Sequence, residues 1–191
     1  LGALYSKHPI RIEVAGTVES IAQINSDLLY RCYNTFYNLN NMVLCVAGNC
    51  KAEEVFEVAD RLLKPCEDVG LQSVFPEEPE GIAKRETVTK MEVGIPLFNI
   101  GFKAKPCTGV ELLRKEYASA FLMDMVFGPT SQFYAENMES GLINSSFESE
   151  TLDGDGYFCN ILSGESHEPA KLRSAVVAEI ERVRREGLSK Q

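Results

Sequence analysis

The sequence has no tryptophan, only two histidines, His8 and His167, and no Cys-x-x-Cys pair among its 191 residues. Neither histidine has a His or Cys partner at the spacing that zinc ligands use, so we interpret both as surface or capping residues. A Gly-x-Ser-x-Gly motif is also missing, and no cysteine has a recognisable activating neighbour. We therefore predict no catalytic, cofactor-binding or metal-binding residue within this chain.

Positive charge is also scarce. The chain has 19 basic and 28 acidic residues, for a net charge of −9. Nucleic-acid binding depends on Lys and Arg displacing counterions from phosphates, so we predict no nucleic-acid partner. No apolar run approaches the length that spans a bilayer, which predicts no membrane segment. The cysteines lack a disulfide-like spacing and two of them lie in apolar runs, which favours a reduced, cytoplasmic protein.

Conventional end signals are missing from both termini. The first residue is Leu1 rather than Met, and residues 181–191 are charged and carry no Pro and no terminal Gly stop signal. We therefore expect the chain to be an internal piece of a longer protein.

The first third of the chain has the pattern of helix, strand and helix. Asn25 or Ser26 can cap a helix that runs to Phe36, with apolar residues three or four apart. The continuous apolar run Met42 to Val46 has the length of a strand, and residues 51–64 again have helical spacing. We expect this run to be a strand with an unpaired edge, which favours self-association or disorder in this part of the chain.

The middle of the chain is rich in proline, glycine and acidic residues over 65–85, which is typical of a linker. Beyond it we predict strands at 87–93 and 97–103, helices at 110–127 and 130–139, and a β-hairpin with its turn at Asp153 to Gly156. A last helix is predicted over 168–186. The hairpin turn Asp153 to Gly156 begins like a calcium-binding loop, but the glutamate that closes such loops is missing. This order of elements indicates an α+β fold of antiparallel sheet with helices packed on one face.

A series of short motifs runs through the first part of the chain in a fixed order. They are His8-Pro9, Gly16 to Ile21, Ile24, Leu28, Phe36-Tyr37, Asn41 to Leu44, Val46 and Gly48. The series resembles the second half of the zinc-bearing domain of the pitrilysin/insulinase metallopeptidase family, although the usual Pro before Asn-Met is missing. The second part is similar to the start of the related, non-zinc domain of that family, through Thr130-Ser131, Phe133-Tyr134 and Gly141-Leu142. The resemblance implies residues 1–64 in the first domain, a linker at 65–85 and residues 86–191 in the second.

The resemblance implies two absences from the chain. The His-x-x-Glu-His zinc motif of the family would precede Leu1, so zinc is expected in the longer protein and not in these residues. Active members also carry an Arg and a Tyr, spaced Arg-x-x-x-Gly-Leu-x-Tyr, which bind substrate and stabilise the oxyanion. Aligned on Gly141-Leu142, these positions hold Asn137 and Asn144. A neutral amide cannot supply the charge of Arg, and we interpret both as ordinary helix and strand residues, although Asn144 could donate a hydrogen bond.

Three functions remain open after this reasoning. The resemblance implies a subunit of a zinc-dependent metallopeptidase, similar to bacterial processing-peptidase-like members, that hydrolyses peptides with a complementary subunit or as a homodimer. The alternative is a catalytically inactive homologue that acts as a structural or peptide-binding subunit of a heterodimeric peptidase. An unrelated α+β interaction module is the third possibility, and the ordered motifs weigh against it.

Overall fold

The computed structural model describes residues 1–188, which form two compact units. Glu13–Val74 is one of them, here called the helical unit. Leu1–Ile12 and residues 75–188 form the other, here called the sheet unit. The chain therefore leaves the sheet unit after Ile12 and returns to it at Phe75. The domain boundaries inferred from the family resemblance stay a prediction.

The helical unit contains the two longer helices that the sequence predicts. Helix α1 is Val18–Ile21, α2 is Ser26–Phe36 and α3 is Ala52–Leu62, with a 3-10 turn at Leu39–Asn41. Asn25 caps α2, since its side-chain oxygen accepts a hydrogen bond from the Leu28 N–H at 2.9 Å. Side-chain caps of this kind satisfy donors that the first turn leaves free, which explains why the boundary was predictable.

Two predicted strands are wrong. In the part of the chain that the structure describes, residues 42–46 and 87–93 form no strand. A strand requires a neighbouring strand to receive its backbone hydrogen bonds, and these apolar and β-branched runs have none among residues 1–188. Val43 in the first run is 93% exposed and Val88 in the second is 79% exposed. The intrinsic preference of these residues for extended backbone was therefore not enough to form a strand without a neighbouring strand.

The sheet unit is built on three antiparallel strands. Strand β1 is Leu97–Lys103, β2 is Glu148–Gly154 and β3 is Tyr157–Glu165, and their order in the sheet is β1-β3-β2. The predicted hairpin is confirmed as β2 and β3, joined at Asp155 and Gly156. Gly156 takes a φ of 81°, a left-handed conformation that glycine adopts without steric cost.

Three helices cover one face of this sheet. Helix α4 is Gly109–Phe127, α5 is Gln132–Glu139 and α6 is Pro169–Glu186. Phe98 of β1 and Leu162 of β3 pack with residues of these helices in one apolar core. Its buried members are Phe98, Met123, Val126, Phe127, Phe133, Leu142, Ile143, Phe147, Leu162, Leu172 and Val176. The α+β class, with antiparallel sheet and helices on one face, is therefore confirmed.

The opposite face of the sheet is covered by residues 1–12, which we call the strap. Leu4 and Tyr5 of the strap are 7% and 1% exposed and form a separate buried cluster with Cys159 of β3. Gly101 of β1 makes room for the strap, because a Cβ atom there would lie 2.7 Å from Leu4 Cδ1. No pattern in the first twelve residues predicts that they pack on the sheet.

Among residues 1–188, no helix is both long enough and apolar enough to cross a membrane.

Candidate functional site

Asn137, the position aligned with the family's Arg, lies in the last turn of α5. Its side-chain amide donates a hydrogen bond to the Phe133 carbonyl at 2.7 Å. Its own backbone carbonyl accepts from the N–H groups of Leu142 and Ile143 at 2.9 and 3.2 Å, which terminates the helix. The side-chain NH₂ group and the backbone carbonyl of Asn137 therefore both bond within α5 and the turn that follows it, as expected of an ordinary helix residue.

Asn144, the position aligned with the family's Tyr, lies in the loop between α5 and β2. Its amide donates to a carboxylate oxygen of Glu165 at 2.9 Å. Its side-chain oxygen accepts from the backbone N–H of Ser146 at 2.9 Å, and the Ser146 hydroxyl accepts from the Glu165 N–H at 3.0 Å. The three residues form a closed network that ties the loop to the end of β3. Asn144 is thus a loop residue that does donate a hydrogen bond, to a partner in its own unit.

The loop that carries Asn144 is also anchored to the core. Leu142, Ile143 and Phe147 are each at most 7% exposed. The hydroxyl of Ser166, itself 3% exposed, donates to the Leu142 carbonyl at 2.8 Å. Buried apolar anchors and satisfied polar groups on both sides restrict the loop and hold Asn144 near Glu165.

His8 is a buried capping residue rather than a surface residue. It is 3% exposed and caps the 3-10 turn Pro9–Arg11, where Nδ1 accepts from the Ile10 N–H at 3.1 Å. Nε2 lies 2.9 Å from the Asp155 carbonyl oxygen, so the proton resides on Nε2 and donates to it. The capping interpretation is confirmed for His8 and the surface interpretation is wrong, because the ring stacks on Phe75 at 4.9 Å.

His167 is exposed in the bend that precedes α6. The cap position of that helix is Glu168, whose side chain makes no capping hydrogen bond. His167 is therefore a surface residue.

Metal-ligating side chains do not cluster within residues 1–188. Among them, no group of three or more His, Cys, Asp or Glu residues lies close enough together to hold a metal. Both ring nitrogens of His8 are already engaged with protein groups. A zinc site requires three or four such ligands with a free lone pair each.

The most concentrated polar site of the sheet unit is Glu78, which sequence reasoning placed in the linker. Its carboxylate accepts the backbone N–H groups of Ser6, Lys7 and His8 at 2.9, 2.7 and 2.7 Å. It also forms an ion pair of 2.8 Å with Lys103, and each of the two side chains is 7% exposed. We call this arrangement the Glu78 clasp. No periodicity marks a carboxylate within Glu-Glu-Pro-Glu, so the sequence carried no signal for it.

Burial and hydrogen bonding oppose each other at the clasp. Burial by itself would raise the pKa of Glu78, but the hydrogen bonds from Lys103 and the three backbone N–H groups outweigh it. The pKa of Glu78 is therefore held well below its usual range. Lys103 also donates to the carbonyls of Pro79 and Gly81 at 2.6 and 2.9 Å, and lies 4.7 Å from the centre of the Tyr5 ring.

Tyr5 and Cys159 form the apolar side of the same region. The Tyr5 hydroxyl donates to the Phe158 carbonyl at 3.0 Å, and burial raises the pKa of this phenol. The Cys159 side chain is 0% exposed, and burial likewise raises the pKa of its thiol. A neutral thiol is a poor nucleophile, so Cys159 is unreactive while it is covered.

The helical unit contributes an open apolar groove. One wall is the run Met42 to Val46 and the other is the apolar side of α3, including Val55, Val58 and Leu62. The groove encloses about 690 Å³. Large exposed apolar surfaces mark interaction sites more often than isolated apolar residues do.

Comparisons with known proteins agree on one family. The family model described as the Peptidase M16 inactive domain matches residues 23–191. The uncharacterized zinc protease YmfH of Bacillus subtilis (strain 168) is 34% identical in an alignment of 174 positions that covers 88% of this chain and 41% of that protein. The chain therefore spans well under half the length of this relative.

Two solved structures have the same fold. The M16-like peptidase of Alicyclobacillus acidocaldarius matches with a TM-score of 0.87 and 32% identity, over 98% of this chain and 45% of that one. A protease from Helicobacter pylori matches with a TM-score of 0.78 over 97% of this chain and 46% of that one. Its identity of 18% supports the fold alone.

Proposed function

The chain belongs to the M16 peptidase family, and from this premise we propose that it is the metal-free part of a zinc-dependent peptidase subunit. In this proposal, zinc and the general base come from residues outside the chain, and the substrate is a peptide. The match of residues 23–191 to the inactive domain of the family carries the proposal. The relative's description as a zinc protease supports zinc chemistry in the longer protein.

What this part contributes follows from its own residues. The side chains of Asn137 and Asn144 are bonded to Phe133 and Glu165 of the same unit. In this proposal they support the α5–β2 loop rather than stabilise an oxyanion.

A second candidate is favoured by the same two asparagines. If Arg and Tyr are needed for catalysis, a subunit that has Asn in both places depends on a complementary subunit for them. The chain then belongs to a zinc-bearing or inactive partner in a heterodimer. Within this second candidate, a zinc-bearing partner carries the His-x-x-Glu-His motif in the longer protein and an inactive partner does not.

The test uses the longer protein that contains this chain, purified alone and mixed with a complementary family subunit. Its zinc content and its hydrolysis of a fluorogenic peptide are measured in both samples. Zinc in the lone protein, with hydrolysis only in the mixture, supports a zinc-bearing subunit. Hydrolysis in the mixture without zinc in this protein supports the inactive-partner candidate. Full hydrolysis by the lone protein would contradict dependence on a complementary subunit.

A further inference from the structure

The strap is attached to the rest of the sheet unit by side chains and isolated hydrogen bonds, and by no strand pairing. The Glu78 clasp holds three consecutive N–H groups at Ser6 to His8. One backbone hydrogen bond joins the strap to Lys84, whose N–H donates to the Ala3 carbonyl at 2.8 Å. The sheet hydrogen bonds run only between β1, β3 and β2, so none of them depends on the strap.

The apolar contacts of the strap are likewise separate from the main core. Leu4 and Tyr5 pack with Cys159, and the partly buried Leu152 and Ile161 border this cluster. The main core on the helix side of the sheet contains no strap residue. Regions with few shared contacts open locally at a lower free-energy cost than global unfolding.

We propose that the strap is a detachable cover, closed by the Glu78 clasp, that opens while the three-stranded sheet stays folded and so controls access to the Cys159 thiol. Closed, the strap keeps the thiol fully buried and neutral. Open, it brings the sulfur into water, where a fraction ionises and reacts with a thiol-directed electrophile. The clasp controls opening of the strap, because the Glu78 carboxylate binds three N–H groups of the strap and the Lys103 ammonium together.

The first experiment uses the full chain with Cys32, Cys45, Cys50, Cys66 and Cys107 replaced by Ser, so that Cys159 is the one thiol. Alkylation by iodoacetamide, in which the thiolate displaces iodide, is followed by mass spectrometry at urea concentrations below the unfolding transition. Opening of the strap exposes little surface, so the alkylation rate should be almost independent of urea. A rate that rises with the same urea dependence as global unfolding would overturn the proposal.

The second experiment weakens the clasp directly. Glu78→Ala in the same background should raise the alkylation rate of Cys159 roughly tenfold or more, because removing one partner of a buried charged network is strongly destabilising. Glu80→Gln removes a neighbouring exposed acid and should leave the rate unchanged. The circular dichroism of the folded state should be the same in all three proteins. Equal alkylation of the Glu78→Ala and Glu80→Gln variants would contradict the clasp's role.

The urea dependence needs no clasp variant, so the proposal stays testable if Glu78→Ala does not fold. Hydrogen exchange gives an independent measurement on the unmodified chain. The amides of Ser6 and Lys7 should exchange before those of β3, since opening the strap leaves the β1-β3-β2 ladder intact. Simultaneous exchange of the strap and β3 would show that they unfold together and would overturn the proposal.

Discussion

At the residue scale, Glu78 links stability to pH. Its folded pKa is depressed, so its contribution is fully present above its unfolded pKa of about 4.3 and is lost as pH falls toward the folded value. Between pH values of roughly 6 and 3, we expect the urea midpoint to fall less in Glu78→Gln than in the unchanged chain. Urea unfolding at both pH values measures this. The Glu80→Gln variant, which changes an exposed neighbouring acid, should show the same fall in urea midpoint as the unchanged chain. Equal falls in all three proteins would contradict the role of the clasp.

A second residue-scale prediction concerns Asn144. Asn144→Ala removes the hydrogen bonds to Glu165 and Ser146 and should lower the free energy of unfolding by about 1–3 kcal/mol, because one of them joins the amide to the charged, half-buried carboxylate of Glu165. Ser145→Ala, at an exposed loop position beside it, should cost much less. Urea unfolding of both variants gives the comparison. If Asn144→Ala has no effect on stability, the network does not hold the loop and the amide becomes available for another role.

At the element scale, the fit between the strap and β1 depends on the missing side chain of Gly101. A Cβ atom there would lie 2.7 Å from Leu4 Cδ1, so Gly101→Ala should destabilise the chain although alanine normally suits a strand better than glycine. In a Leu4→Ala background the clash disappears, and the same change should be neutral or stabilising. Thermal unfolding of the four proteins forms a double-mutant cycle. Additive effects would show that Leu4 does not pack on Gly101.

Elements with local signals were predictable and those that depend on distant partners were not. Helix α2 has the Asn25 cap, and the β2–β3 hairpin has its Gly156 turn, so both follow from a few neighbouring residues. The run Met42 to Val46 has the same apolar character as a buried strand, but no neighbour pairs with it in the described part of the chain. The Glu78 clasp joins the linker to residues about seventy positions earlier in the sequence. A contact between residues so far apart produces no periodic pattern in the sequence. Asn137 and Asn144, in contrast, could be located because they flank the Gly141-Leu142 motif.

At the scale of the whole molecule, the helical unit is predicted to associate with other copies through its apolar groove. Val43 is 93% exposed at the groove wall, and the apolar side of α3 faces the same space. Burial of this surface in a dimer would remove apolar area from water, which favours association. We therefore expect the sedimentation coefficient to rise with protein concentration.

Substitution of one groove residue tests whether this surface causes the association. Val43→Lys should keep the chain monomeric over the same concentrations, because association would bury an unpaired ammonium. Val74→Lys places the same charge at a residue that is 84% exposed in the same unit but outside the groove lining, so it should associate like the unchanged chain. Both sites are exposed enough that neither change should affect folding, which circular dichroism checks. A chain that is monomeric at every concentration, or equal association of both variants, would exclude the groove as the interface.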